Sequence, residues 1–149
     1  MKNGNTRALK LTALGLVGFH FLTAVLHSVA HEVLSVEATP AQLAFIIPVI
    51  VVAPLIAGLA LRKWTTAGAV LLLASMVGSL AFGLYYHFVA DTIDHVAHVA
   101  QRGPAFWSAT FRVTAYLLAV FELFGAAAAA ALMAGLPRLF KQHATRTGL

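Results

Sequence analysis

Four long apolar runs, at roughly 9–34, 41–61, 66–90 and 108–135, constrain this chain more than any other feature. Each reaches the roughly 20 residues that an α-helix needs to cross the hydrocarbon core of a bilayer. Backbone polar groups in lipid must be satisfied internally, which leaves helices or closed barrels. The runs lack the period-two alternation of barrel strands, so helices remain. Composition points the same way. The chain is 60% hydrophobic and only 10% charged, against about 25% charged in a soluble domain. Residues 1–149 therefore read as a single all-α integral membrane domain.

The placement of charge supplies a topology. Lys2, Arg7 and Lys10 precede the first run, Arg62 and Lys63 separate the second from the third, and Arg138, Lys141 and Arg146 follow the fourth. The other connections hold only Arg102, with Arg112 at the start of the fourth run. By the positive-inside rule both termini and the 62–66 link are cytoplasmic, as in a bacterial-type cytoplasmic membrane. Short links at Ser35–Pro40 and Arg62–Thr65 make neighbouring helices antiparallel, which gives a four-helix up-down bundle. The lipid bilayer is the expected partner, and a homo-oligomer or a larger membrane complex stays open. The net charge of +5 is scattered around the spans rather than gathered into a face, which argues against nucleic acid. Without cysteine, disulfides, thiolate metal sites and CxxC redox pairs are excluded. The first run has one alternative reading. Its basic start and Ser28-Val29-Ala30 fit a signal peptide, and cleavage there would leave His31 as a chelating amino terminus.

Small residues suggest where helices meet. Ser75, Ser79 and Gly83 recur every four residues, and Gly125 precedes an alanine run from Ala126 to Ala131. Both allow close backbone approach. Pro48 and Pro54 interrupt the second run and are expected to bend it.

The polar minority is unevenly distributed. His20, His27 and His31 fall within roughly 40° of one direction on a helix, a stripe from mid-span to the outer end, where Glu32 and Glu37 follow. On the third run, His87 lies near the outer end. If the helix continues through an amphipathic outer segment at roughly 90–103, His87, Asp91, Asp94, His95 and His98 share one side. Gly103-Pro104 ends it. The first and third spans carry these groups to the same membrane face. Imidazoles and carboxylates without thiols suit a divalent metal, with zinc, iron, manganese and copper not distinguished. The candidate metal ligands are His27, His31, His87, Asp91, Asp94, His95 and His98. Several are spaced i, i+3 or i, i+4, and a carboxylate there could instead orient a ligating histidine. The bland alternative is a solvated boundary. No HExxH motif or Glu-x-x-His pair occurs. Haem is the alternative cofactor, held between His27 or His31 and His87.

Two ionisable groups lie near mid-span, His20 in the first run and Glu122 in the fourth. Such groups normally face the protein interior, so a hydrogen-bonded pair is expected, acting as a proton or ion relay or as a structural clamp. Arg112 and Tyr116 could meet the outer carboxylates or reach toward lipid headgroups. The functional expectation is a small membrane protein binding a divalent metal at its outer face. Binding or transfer is favoured over catalysis, because no activated nucleophile is visible. A haem-bearing electron-transfer subunit and an accessory subunit of a larger complex are the alternatives.

Overall fold

The computed structural model describes residues 2–147, and side chains within 4–135. It is helical, with no strand among the described residues. The first span is α1, Lys2–Val33. The second joins α2, Pro40–Phe45, through a π-helical stretch, Ile46–Val52, to α3, Ala53–Lys63. The third is α4, Thr65–Leu84, continued by a π-helical stretch, Tyr85–Val89. A short α5, Val96–Val99, precedes α6, Ala105–Thr147. Four stretches are long and apolar enough to cross a membrane: Gly4–Val33, Pro40–Lys63, Thr65–Val89 and Ala105–Gly135. The side chains of Lys2, Arg138, Lys141 and Arg146 lie outside those described.

Local chemistry explains the boundaries. Thr39 caps α2 with a reciprocal pair: its Oγ1 accepts from Gln42 N at 3.2 Å, and Gln42 Oε1 accepts from Thr39 N at 2.7 Å. Pro40 follows at the first helical position, where its missing N–H costs nothing. Within the second span, Pro48 cannot donate to the preceding turn. The ladder widens there, and Ala53 N–H reaches the Pro48 carbonyl five residues back. The third span ends the same way. Ala90 N–H donates to Tyr85 O at 2.7 Å, and Ala90 itself is extended, at ψ 134°.

That extended residue changes the outer segment. An unbroken amphipathic helix through 90–103 does not form. Residues 90–95 turn out of the helix axis, and His95 caps α5, its Nδ1 accepting from Ala97 N at 3.2 Å. Gly103 closes the segment in the left-handed region at φ 57°. A Cβ there would lie 2.7 Å from Leu34 Cδ2, so this turn admits only glycine comfortably.

α6 packs against both α1 and α4, and α4 packs against α3. α1 meets α3 only toward the Trp64 turn, where Gly58 faces Leu14 and Val17. At that end a buried apolar cluster includes Val17, Leu61, Leu72, Met76 and Ala129. Ala30, Leu34, Val36, Val99 and Phe111 form a second cluster at the opposite end. Ser75 and Ser79 are buried, in keeping with close approach of α4 and α6. Between the two apolar clusters lies a layer of buried polar side chains.

Candidate metal centre

α1 presents His27 and His31 one turn apart, and the π-helical end of the third span presents His87. Their Nε2 atoms converge. His27 Nε2 lies 3.2 Å from His31 Nε2 and 3.3 Å from His87 Nε2. All three ligand atoms fall within 4.8 Å of one another. Two nitrogens bound to one tetrahedral zinc-like ion at 2.0–2.1 Å are separated by about 3.3–3.4 Å, so two edges already have the required length. His27, His31 and His87 could therefore hold a metal ion.

The opposite nitrogens of the rings reveal why the lone pairs point inward. His31 Nδ1 donates to Val36 O at 2.8 Å, and His87 Nδ1 donates to Asp94 O at 3.1 Å. A backbone carbonyl can only accept, so the proton of each ring sits on Nδ1 and Nε2 carries a lone pair. His27 Nδ1 lies 2.8 Å from Thr114 Oγ1. When that hydroxyl donates to Thr110 O at 2.7 Å or Phe111 O at 3.0 Å, its lone pairs accept from His27 Nδ1–H, and His27 Nε2 is then free as well. Three Nε2 atoms thus face one point, each ring fixed by a bond on its far side, and in this tautomer all three carry lone pairs. Metal-ligating histidines are typically held in this way.

Phe111, fully buried, packs against all three rings, with centroids 4.5, 4.7 and 5.4 Å from His27, His31 and His87. The three histidines also line a cavity of about 450 Å³, to which Phe111 does not contribute. The open side of the cluster therefore faces that cavity. The π-helical turn carries His87 on the buried side of the third span, in line with Ala69 and Met76, while Tyr85 remains exposed.

The remaining expected ligands take other places. Asp94 sits beside the cluster, 4% exposed. Its backbone carbonyl holds His87, and its Oδ1 lies 3.9 Å from His31 Nδ1 without a hydrogen-bond partner. Its Oδ2 accepts from Gln42 Nε2 at 3.4 Å. Asp91 and His98 pair with each other at 3.2 Å on the surface, and His98 Nδ1 donates to Thr92 O at 2.8 Å. His95 caps α5. The structure does not bring Asp91, His95 or His98 to the three-histidine point. Arg112 Nε donates to Ser108 O at 3.4 Å, and Tyr116 packs on Phe88. Neither meets a carboxylate.

Deeper along the same cavity lies Glu122, whose Oε1 is hydrogen-bonded to His20 Nε2 at 3.2 Å, both residues buried. His20 lies seven residues before His27, about 10 Å along α1. Ser79 also lines the cavity, with a buried Oγ that has no partner.

Thr114 and Phe111 escaped the sequence reading. Thr110 and Thr114, one turn apart within an apolar span, were the legible sign of a polar contact there. Nothing local marks Phe111 or the Val36 carbonyl, whose roles follow from tertiary approach. No protein-family model, curated protein or solved structure matches this chain.

Proposed function

We propose that this protein is a four-helix up-down membrane bundle, with both termini cytoplasmic, that binds one divalent transition-metal ion through His27, His31 and His87 near its outer face. The convergence of three Nε2 atoms, each imidazole anchored through Nδ1, is the observation that carries the reading. Three neutral nitrogens and no thiolate suit zinc, copper(II) or iron(II) better than magnesium or calcium. The ion keeps its double charge, and Asp94 beside His31 offsets part of it. A fourth coordination position faces the cavity, where water, an exchanging ligand or a substrate can occupy it.

A single ion fits this arrangement better than haem. Bis-histidine haem needs its two axial nitrogens on opposite sides of a flat macrocycle, whereas these three share one point. Glu122 lines the same cavity below the centre, with His20 bonded to it; this pair supports a proton relay, although a structural clamp would use the same bond.

Elemental analysis of the purified full-length chain tests the proposal. One zinc or cobalt per chain is expected after reloading, and the cobalt(II) form should give the intense visible absorption of a four-coordinate site. His27→Ala is expected to lose both. A chain that takes up no stoichiometric metal, or that is purified with a Soret band, overturns the reading. Intact mass decides the signal-peptide alternative, since cleavage after Ala30 would remove His20 and His27.

A further inference from the structure

The cavity beside the three histidines has two approaches of opposite chemistry. Toward the 34–39 connection its rim carries Glu32, Ser35 and Glu37. This acidic rim favours cations and repels anionic solutes. The second approach is lateral. Ala24 and Ser28 of α1 face Ile46, Ile50 and Val51 of the second span across the cavity. A second concavity of about 390 Å³ continues along the same face of α1, lined mainly by Phe21, Val25 and Val29 with Val51 opposite, and by Glu32 at its end toward the 34–39 connection. α1 packs against α3, with Gly58 facing Leu14 and Val17, and the π-helical stretch around Pro48 lies on the far side of the gap from Ala24 and Ser28. Since α1 and the second span are both long and apolar enough to span a bilayer, this side opening faces lipid.

Polarity changes along that lateral path. Its inner end holds the histidines, Asp94, the unpartnered Ser79 Oγ and Glu122, and its outer end is largely apolar, Ser28 and Glu32 excepted. Water-soluble ligands have no use for the apolar end. Purely apolar ligands would strand the polar end. The cavity lies within the roughly 300–1,000 Å³ of small-molecule sites, too little for a two-chain phospholipid.

We infer that the site takes a single-chain amphiphile from the bilayer, its oxygen-donor head directed inward to the metal's open position and its chain trailing outward between α1 and the second span. This rests on the metal reading and adds the class of its ligand. The acidic rim then serves the ion, and the lateral gap serves the ligand. The ion itself attracts the oxygen donor, with Ser79 Oγ and Glu122 available to hydrogen-bond the head.

The test uses the full-length chain in lipid nanodiscs, loaded with cobalt(II), and two hydroxamate probes that differ only in chain length, dodecanohydroxamic and acetohydroxamic acid. Both should change the cobalt absorption. Partitioning concentrates the long probe in any bilayer, so the decisive comparison is between proteins. Ile50→Trp and, from the opposite wall, Ser28→Trp should retain cobalt yet raise the half-saturating concentration of the long probe by about tenfold, leaving the short probe almost unchanged. If both probes shift together, or neither shifts in either variant, the inference fails while the metal reading stands. If cobalt does not bind, the metal reading fails and photolabelling with a diazirine fatty acid decides the lateral path. Adducts at Phe82 and Leu118 that disappear in Ile50→Trp support it, and adducts confined to the outward-facing Leu22 and Leu26 overturn it.

Discussion

The two ends of this protein solve the packing of the same helices in different ways. Toward the Trp64 turn, backbones are close and side chains are small. A Cβ added at Gly68 would lie 2.5 Å from Leu61 N and 2.9 Å from its Cα. There α3 touches both α1 and α4, and the interior is apolar. Toward the 34–39 and 90–104 connections, α1 and the second span part, and histidines, Asp94 and Thr114 fill the interior. Helix association in lipid depends on close contact and interhelical hydrogen bonds, since lipid tails are as apolar as the helices. The small-residue end provides contact, and the histidine end trades contact for a cavity. It follows that stability and ligand binding should be separable by mutation.

The largest effect is expected from His27→Ala. With zinc at a hundred times the wild-type Kd, binding should stabilise the native protein by about 2.7 kcal/mol, and thermal melts of the variant should lose that zinc-dependent increment. Thr114→Val is next. It removes the acceptor behind His27 while keeping its shape, and metal titration should reveal affinity weakened by about 10–100-fold with the metal-free melt little changed. Gly68→Ala is the converse, with normal metal stoichiometry and a loss of about 1–3 kcal/mol in denaturation, because Leu61 backbone stands in the way. Unchanged stability there would break the contrast between the two ends.

Smaller effects probe the boundary between them. Glu122→Ala removes one partner of a hydrogen bond between α1 and α6, and unfolding in detergent should register about 0.6–1.7 kcal/mol, with Glu122→Gln recovering most of it. Full loss of metal in Glu122→Ala would mean that the pair belongs to the centre rather than lying beneath it. Gly125→Ala should do least. The new Cβ meets the flexible Met76 side chain, with Sδ at 3.0 Å, and a helix-propensity gain of about 1 kcal/mol offsets that displacement, so the melt should barely move.

Residue pattern alone carried the all-helical character and four spans long enough for a bilayer, because twenty-residue apolar runs leave the backbone few other ways to satisfy its hydrogen bonds. It also brought out the stripe of His20, His27 and His31, since helical periodicity is local. Tertiary structure decided which groups meet. His87 shares its side of the third span with the buried Ala69 and Met76, and it reaches His27 and His31 because α6 packs against both α1 and α4. Asp91, His95 and His98 belong to another surface because Ala90 leaves the helix, ending the shared face that continuous winding would have produced. Thr114, the Val36 carbonyl and Phe111 reach the histidines only through the approach of separate chain segments. Composition and periodicity are properties of neighbours along the chain, whereas a common point for three lone pairs is a property of distances across it.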